Sequence, residues 1–432
     1  MASDSVFEVQ RSLFAVPALR TEESVAPSTT STFSPPATLS SRRDFIRTLA
    51  FGSFALGFAP TNLTIARADD KDGLPAGTRL IVRSAKPLNA EPALEDLVAD
   101  WITPVERFYV RNHGAVPSVE AHAFHLSIGG LVEKPVQLSI AELIERFPAA
   151  KATATLTCAG NRRNEFHGPK IPGVAWGAGA IGNAAWSGVA LAAVLRHAGI
   201  RDGAKHVWFE GADDISDKGE TYSFGGSIPL EKALAGNDRS STALLATRMN
   251  DQPLTAEHGF PLRAVVPGYI GARSVKWLKK IVVSDRPSPN HYLAGAYKII
   301  AEETPAALAA AAPLYEYAIN SAIAVPAPAA GVAAGKLKIQ GFALPGGATG
   351  STLKTVEVSA DGGSTWSAAS VSSPVRDFCW VLWSAEINVT PKTDRLIVRA
   401  IDSTGRSQPR EMPWNAKGYQ YNAWHQVPVT VK

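Results

Sequence analysis

The stretch TLTCAGNRRNEF, residues 155–166, contains one of only two cysteines in a chain of 432 residues. Cys158 lies between small residues, and Arg162 and Arg163 follow shortly after it. A cysteine in this setting can be a nucleophile, a metal ligand or a packed core thiol. A nucleophile needs a nearby histidine or helix N-terminus, and a zinc ligand needs companion ligands at short spacing, which the neighbouring sequence lacks. The local sequence alone favours the core thiol.

Around this stretch, residues from about 80 to 315 alternate irregularly between helix and strand patterns. Ser139 and Glu142 form a capping-box signature for a short helix that should end before Pro148. Ser187 is the predicted cap of a second helix, which Gly199 should end. The segments between these helices read as strands: HAFHLSIGGLV, KHVWFEG, LRAVVPG and KKIVVS. We therefore predict an α+β domain with mixed sheets over residues 80–312.

The sequence pattern changes from mixed helix and strand to strand alone after an alanine- and proline-rich segment, residues 301–335. We interpret this segment as a connection between domains. Leu337 and Ile339 alternate with polar residues in KLKIQGFAL, and Asp361-Gly362-Gly363 is a hairpin signal. Further short strands follow with no helix pattern. This spacing predicts an immunoglobulin-like β-sandwich over residues 318–432.

The first 68 residues read as a leader and not as part of the fold. Residues 21–41 are rich in serine, threonine and proline, which predicts disorder. Arg42 and Arg43 begin a twin-arginine export signal, followed by an apolar run shorter than the roughly 20 residues of a membrane span. Ala66-Arg67-Ala68 offers a cleavage site; the alternative reading is a short amphipathic helix. We therefore expect folded export to the periplasm with a cofactor already inserted.

Composition narrows the class of protein further. Hydrophobic residues make up 45% and charged residues 19%, as expected of a folded core. Six of the 43 basic and five of the 39 acidic residues precede residue 69, so the remainder has a net charge of +3. This mild charge predicts neither nucleic-acid binding nor a polybasic membrane anchor, and we expect no membrane span. A disulfide with Cys379 is not expected, because DFCWVLW reads as a buried strand in which the cysteine is a small hydrophobe.

Four blocks together resemble the sulfite oxidase family of molybdenum enzymes, and within it the bacterial periplasmic sulfite dehydrogenases. They are FYVRNHG (108–114), LTCAGNRR (156–163), HGFPLRAVVPGYIGARSVKW (258–277) and YNAWHQVPVTV (421–431). The resemblance implies a sulfite-oxidase-like molybdopterin domain followed by a dimerisation domain. It also implies that Cys158 is the metal ligand, a role that suits a soft thiolate beside the dithiolene sulfurs of Mo-molybdopterin.

The resemblance further implies a small sulfur oxyanion, sulfite, as the substrate. Arg111, Arg163 and Lys417 would surround it, Trp176 would lie on the pocket wall, and Tyr297 would donate a hydrogen bond near the reacting atoms. Arginine suits this task because its planar fork of donors fits oxyanions. For Tyr297 a strand or surface tyrosine is the alternative.

One of these residues departs from the family pattern. The family has an arginine before Gly418, and this chain reads WNAKG, so Lys417 stands there. Lysine keeps the charge but loses the two-pronged donor geometry. The change suggests weaker sulfite binding or a different sulfur substrate.

The residues implied to bind the cofactor fall in the same blocks and one more. They are Tyr109, Val110, Arg111, Asn112, His113, Asp213, His258, Arg263, Ser274, Val275 and Lys276. Arg263 and Lys276 are positive donors suited to a phosphate. Asp213 could instead be a turn residue, and His258 could be a helix-end cap.

The implied reaction is oxidation of sulfite to sulfate by oxygen-atom transfer. The sequence contains no CxxCH motif, so we expect no haem in this chain and a separate c-type cytochrome as electron acceptor. A homodimer, or a heterodimer with a cytochrome subunit, is expected through the second domain. The alternatives are the molybdenum subunit of a sulfane dehydrogenase in thiosulfate oxidation, a methionine sulfoxide reductase, a non-enzymatic binding protein and a cysteine hydrolase.

Overall fold

The computed structural model describes residues 79–217, 219–236 and 242–432. These residues belong to one compact unit, Ala66–Lys432. The predicted disordered segment and twin-arginine signal lie outside the described residues. Within the described ranges, no helix has both the length and the apolar character that crossing a membrane requires.

The described residues between positions 79 and 299 are built mainly from strands. They are β1 (Ile81–Ala85), β2 (Leu88–Glu91), β3 (Val110–Arg111), β4 (His125–Gly130), β5 (Val136–Ser139), β6 (Ala149–Thr157), β7 (Ile181–Ala190), β8 (His206–Gly211), β9 (Ile215–Asp217), β10 (Glu220–Tyr222), β11 (Gly225–Pro229), β12 (Leu244–Met249), β13 (Gln252–Pro253), β14 (Arg263–Val265) and β15 (Leu278–Ser284).

Two five-stranded sheets carry most of this region. One has the order β11-β8-β15-β4-β5 and is mixed, because β15 and β4 run parallel while the other pairs are antiparallel. The other has the order β13-β12-β7-β6 with β14 paired to β12, and all its pairs are antiparallel. Smaller sheets join β1-β2-β3 and β9-β10. The predicted α+β class with mixed sheets is confirmed.

The helices are few and short: α1 (Leu94–Leu97), α2 (Ile140–Arg146), α3 (Leu191–Ala198), α4 (Leu230–Leu234) and α5 (Pro305–Ala310). The predicted capping box of α2 is present, because Ser139 accepts from the Glu142 amide and Glu142 accepts from Ser139 N. Gly199 ends α3, as predicted. The predicted cap at Ser187 is wrong: this residue lies inside β7, paired on both sides, and α3 begins only at Leu191.

The second region folds as a β-sandwich, as predicted. Its strands are β16 (Asn320–Val325), β17 (Ala330–Val332), β18 (Gly335–Leu344), β19 (Leu353–Ser359), β20 (Ser367–Ala368), β21 (Ser370–Val371), β22 (Val381–Val389), β23 (Arg395–Asp402) and β24 (His425–Val431). They form sheets of order β16-β18-β22-β21 and β17-β24-β23-β19-β20, which share one apolar core. The Asp361 signal does join β19 to β20, with both following glycines at positive φ.

The alanine- and proline-rich segment 301–335 is more than a connection. It contains helix α5, begun by a Thr304 cap with proline at its first position. It also contributes β16 and β17, one strand to each sheet of the sandwich. Alanine is small enough to be buried between packed sheets, and Ala322 and Ala324 are fully covered here. The prediction that this segment is only a linker is therefore wrong, because Ala322 and Ala324 are packed in a strand of the sandwich.

The two regions meet along β6. Thr155 N donates to Phe378 O at 2.9 Å, Trp380 N donates to the Thr155 hydroxyl at 2.9 Å, and the Cys379 thiol donates to Thr153 O at 3.3 Å. Both cysteines are free and buried, and burial raises the pKa of Cys379 to about 12. The sandwich thus packs directly on the strand that leads to Cys158.

Candidate active site

Cys158 is the first residue after β6, at the end of that strand. Its amide donates to Ala180 O at 2.9 Å, and the Gly160 amide donates to its Sγ at 3.4 Å. The residue is 8% exposed. The sulfur is therefore nearly buried and accepts a backbone N–H, an arrangement that suits a metal-binding sulfur.

A tight turn after Cys158 fixes the direction of this side chain. The Asn161 amide donates to Cys158 O at 2.9 Å, and the Asn161 side-chain oxygen accepts from Ala180 N at 3.0 Å. Arg162 then adopts a left-handed backbone with φ of 65°. Such a conformation is unfavourable outside glycine and persists only where its surroundings hold it.

The surroundings that hold Arg162 lie mostly in the sandwich. Its guanidinium is fully buried and donates to the Asn320 side-chain oxygen at 2.7 Å and to Ala423 O at 2.8 Å. It also makes a two-pronged pair with Glu165, at 2.8 and 2.6 Å. Arg162 therefore ties the turn after Cys158 to the second domain, a role that the sequence reasoning missed.

Cys158 opens into a cleft with an empty volume of ≈ 670 Å³, its mouth included. Most of the predicted site residues line it: Tyr109, Arg111, Asn112, His113, Cys158, Asp213, His258, Arg263, Ser274, Lys276 and Tyr297. Other residues on its wall were not predicted: Phe108, Leu156, Ala159, Phe224, Glu257, Gly271, Ala272 and Trp277. These lie beside predicted residues in sequence or in the apolar core, and no chemical signal in the sequence distinguishes them.

Strand β3 brings Arg111 and its neighbours to the cleft. Arg111 Nη1 donates to the Asn89 side-chain oxygen at 3.1 Å and to the carbonyl of Asn112. Asn112 is anchored to strand β2, because its amide donates to Asn89 Oδ1 and its side chain donates to Leu88 O, both at 3.0 Å. The guanidinium of Arg111 is thus held in one direction by β2.

Tyr297 and His113 share a hydrogen bond of 3.0 Å between the phenol oxygen and Nε2. Burial raises the pKa of Tyr297, and the charges of Arg111 and Arg163 offset part of that rise. Burial lowers the pKa of His113 well below its ordinary value, and Arg111 and Lys276 lower it further. At neutral pH the cleft therefore holds a neutral phenol against a neutral imidazole.

Arg263 and Lys276 place two basic side chains on the wall of the cleft. Arg263 donates to His258 O and to Ser274 O, both at 3.0 Å, and burial lowers its pKa to about 10. Lys276 Nζ donates to Glu257 O at 2.8 Å and contacts Asn112 Oδ1. Within the described ranges, neither cation forms an ion pair with a carboxylate. Charges buried without counter-ions are costly, so an anion is the expected occupant.

Asp213 and His258 are neither a solvated turn residue nor a simple helix cap. Asp213 is 2% exposed, accepts from Phe224 N at 3.2 Å, and burial raises its pKa. The His258 ring nitrogen Nε2 lies 3.3 Å from Val105 O, and burial lowers its pKa to about 3. Both side chains therefore face the cleft as hydrogen-bonding groups.

Comparison with known proteins places this geometry in a family. Residues 113–292 match the oxidoreductase molybdopterin binding domain, and residues 311–432 match the Mo-co oxidoreductase dimerisation domain. Sulfite oxidase of Gallus gallus is 39% identical over 360 residues, which cover 80% of this chain and 77% of that protein. The chain belongs to the sulfite oxidase family. It is a molybdenum oxidoreductase.

Relatives of this chain differ in the activity that their names give. Nitrate reductase [NADH] 1 of Oryza sativa subsp. japonica is 37% identical over 372 residues, 80% of this chain but 40% of that protein. The sulfane dehydrogenase SoxCD from Paracoccus pantotrophus has a solved structure that matches with a TM-score of 0.69 and 26% identity. The match covers 88% of this chain and 95% of that one. Family membership alone therefore does not select the substrate.

Five predicted site residues do not line the cleft: Val110, Arg163, Trp176, Val275 and Lys417. Val110 and Val275 are buried in apolar clusters, so only their backbone can act at the site. Arg163 donates to Gly418 O at 3.2 Å and to Val174 O at 3.0 Å, with its guanidinium over the Tyr419 ring. Its charge still acts on the cleft through Tyr297, as the pKa of that phenol shows.

Trp176, expected on the pocket wall, does not line the cleft. Its side chain is fully buried in the apolar cluster that contains Phe108, Leu156 and Cys158. The indole supports the sulfur's surroundings without reaching the cleft surface.

Lys417 also lies away from the lining of the cleft. Its ammonium pairs with the Glu303 carboxylate, and its side chain is 16% exposed. The next residue, Gly418, lies against Arg163, so close that a Cβ there would be 2.8 Å from Arg163 Cγ. Lys417 therefore directly precedes a residue that contacts Arg163. The charge of its ammonium is compensated by Glu303.

The residues present fit a molybdopterin cofactor. The cleft contains a thiol that accepts a backbone N–H, which suits a sulfur ligand to a metal. It also contains two basic side chains without carboxylate partners in the described ranges, which suit the anionic end of the cofactor. Gly271 keeps the wall open beside Tyr109, because a Cβ at this position would lie 2.8 Å from the phenol oxygen.

Proposed function

We propose that this enzyme oxidises sulfite to sulfate at a molybdenum–pterin cofactor held by Cys158. The observation that carries the proposal is the convergence of Cys158, Arg111 and Tyr297 on one cleft with Arg263 and Lys276. The likeness to sulfite oxidases supports the same substrate.

Each group has a task that follows from its position. Cys158 would bind the metal, and Arg263 and Lys276 would bind the anionic end of the cofactor, since their donors face the cleft without carboxylate partners in the described ranges. When bound, the cofactor supplies the oxygen-atom transfer and takes up the two electrons. Arg111 would attract and orient the oxyanion with its remaining N–H groups.

Tyr297 would donate a hydrogen bond from its phenol O–H to the bound oxyanion. A neutral phenol is the form that can donate, and burial keeps it neutral at working pH. His113 accepts from or donates to the same oxygen and so fixes its direction. Asp213 and His258 would hold polar edges of the pterin.

A sulfane dehydrogenase activity in thiosulfate oxidation is the second candidate. The Glu303–Lys417 pair favours it, because the charge on Lys417 is compensated and one basic group fewer remains for a free oxyanion. The likeness to the SoxCD structure over nearly all of that chain supports it as well.

The remaining parts of the proposal concern location and partners. The twin-arginine leader supports export to the periplasm in the folded state. The match of residues 311–432 to a dimerisation domain supports a homodimer or a heterodimer with a cytochrome subunit. A separate c-type cytochrome would then accept the electrons one at a time.

Steady-state kinetics of export-matured protein tests the proposal. Sulfite, thiosulfate and methionine sulfoxide are compared, with ferricyanide or cytochrome c as acceptor and a reduced viologen as donor for the sulfoxide. We expect turnover with sulfite and not with the other two. Inactivity on sulfite would contradict the proposal, and turnover on a protein-bound sulfane sulfur, assayed as a fourth substrate, would favour the second candidate instead.

A further inference from the structure

Arg273 is a buried cation next to the cleft that none of the roles above uses. It is 1% exposed, its Nε donates to Leu314 O at 2.9 Å, and its Nη1 donates to Tyr292 O at 3.2 Å. Its Nη2 has no hydrogen-bond partner, and no carboxylate pairs with it in the described ranges. Burial lowers the pKa of Arg273 to about 10, so the guanidinium remains charged at neutral pH.

Both backbone acceptors of Arg273 belong to segments that hold Tyr297. The π-helical turn Tyr292–Ala296 ends immediately before Tyr297, and Arg273 bonds the first carbonyl of that turn. Leu314 donates its amide to Tyr297 O at 2.9 Å, and Arg273 bonds the carbonyl of the same leucine. One guanidinium therefore ties together the turn before Tyr297 and the chain that hydrogen-bonds its backbone.

The guanidinium also lies near the Tyr297 ring itself. Its central carbon is 5.6 Å from the ring centroid of Tyr297 and 5.6 Å from that of Tyr315. A cation at this distance from an aromatic ring is attracted by it, more strongly away from water. The fit is close, because a Cβ on Gly226 would lie 2.9 Å from Arg273 Nη1.

We infer that Arg273 is a positioning residue for Tyr297, holding the phenol in the orientation that the reaction uses. The inference rests on the proposed function in that Tyr297 acts at the reacting atoms. Lysine cannot reproduce the arrangement, because a single ammonium cannot donate to two carbonyls across the width of a guanidinium fork.

A double-mutant cycle between Arg273→Lys and Tyr297→Phe tests the inference. In protein with full molybdenum content, Arg273→Lys should lower kcat about tenfold, the loss of one to two hydrogen bonds that position the phenol. The KM should change much less. In the Tyr297→Phe background the same change should cost about twofold or less, because a residue that acts through the phenol hydroxyl loses its effect without it.

Hydrogen exchange gives a second measurement that does not depend on the loaded enzyme. Peptides that cover residues 292–297 and 314 should exchange faster in Arg273→Lys, with and without cofactor, while peptides of β18 and β22 should be unchanged. Arg395→Lys is the matched control, since that arginine is exposed and distant in the sandwich. It should alter neither kinetics nor exchange at Tyr297.

If Arg273→Lys does not retain molybdenum, Tyr315→Leu replaces it in the cycle, since it removes the other ring against the guanidinium. Wild-type turnover by either variant, or effects that multiply with those of Tyr297→Phe, would overturn the inference. Unchanged exchange at residues 292–297 would overturn it too. A wild-type enzyme inactive on sulfite is a different result: it rejects the proposed substrate and leaves the exchange measurement to decide on Arg273.

Discussion

The two arginines that follow Cys158 have different tasks, although they are adjacent in sequence. Arg162 is fully buried and bonded to the second domain, whereas Arg163 contacts Gly418 and the Tyr419 ring near the cleft. The left-handed turn at Arg162 explains the separation, because it sends consecutive side chains in different directions. A linear motif does not show this turn. The sequence therefore indicated two basic residues near the thiol, but not that one contacts the second domain and the other lies near the cleft.

Residue identity predicted most of the cleft once the blocks were compared with a family. Ten predicted cofactor or substrate residues and Cys158 do line it. Trp176 and Lys417 do not line it: the indole is buried in an apolar cluster, and the ammonium pairs with Glu303, a carboxylate outside the matched blocks. Side-chain partners of this kind come from distant parts of the chain and leave no mark in a local pattern.

Lys417→Arg should lower the apparent KM for sulfite. A guanidinium can keep one donor on Glu303 and offer others to an oxyanion, which an ammonium does less well. Glu303→Gln should act in the same direction by freeing the lysine, with changes of about two- to threefold for so exposed a pair. Steady-state kinetics at low ionic strength measures both.

The control for this pair is Lys151→Arg, which alters an exposed ion pair with Asp251 elsewhere on the surface. It should leave the KM for sulfite unchanged. An unchanged or higher constant in Lys417→Arg would remove Lys417 from the surroundings of the substrate.

At the scale of elements, local patterns succeeded where a few residues determine the backbone. The capping box at Ser139 and the glycine that ends α3 depend on side chain-to-backbone geometry within one turn, which the sequence carries. Ser187 and segment 301–335 depend on tertiary pairing instead. A serine can cap a helix or pair within a sheet, and pairing with β12 places Ser187 in a strand. Alanines can link domains or pack in a strand, and pairing with β18 makes part of this segment a strand.

Strand β24 should make the stability of the fold sensitive to acid. Burial lowers the pKa of His425 from 6.5 to about 4, and its Nδ1 accepts from Ile323 N at 3.1 Å. In the unfolded chain His425 binds a proton more tightly than in the folded protein. The free energy of unfolding that this histidine contributes at neutral pH is therefore lost as the pH falls from 6.5 to about 4. The loss is at most about 3 kcal/mol for this group.

Chemical unfolding of cofactor-free protein at several pH values measures this dependence. His425→Asn keeps an acceptor for Ile323 N and removes the titrating group, so its free energy of unfolding should vary less between pH 6.5 and 4. A variant with the same pH slope as the wild type would show that other groups account for the acid sensitivity.

At the scale of the molecule, the second domain shapes the site as well as offering a surface for assembly. It contacts β6 at residues 378–380, and it holds Arg162 through Asn320 and Ala423. The turn after Cys158 is thus built by both regions of the chain. The order of matched blocks predicted two domains, and no sequence pattern predicted this coupling.

Arg162→Met should therefore destabilise the whole fold and weaken metal retention. Removing the guanidinium leaves the partly buried Glu165 carboxylate without its cation and removes one donor each from Asn320 and Ala423, at a cost of about 3 kcal/mol. Thermal unfolding and molybdenum content measure the two effects. Lys151→Met, which breaks an exposed pair, should cost less than about 1 kcal/mol and retain the metal. Full stability and full metal content in Arg162→Met would contradict a coupling role.

We propose that the sulfur of Cys158 binds the metal, and Cys379 provides a matched control in the same chain. Molybdenum content with optical and paramagnetic spectra should be measured on Cys158→Ser and Cys379→Ser, both purified folded. We expect Cys158→Ser to lose turnover and to change the spectra of any metal that remains, while Cys379→Ser keeps both turnover and spectra. Wild-type turnover and spectra in Cys158→Ser would contradict it.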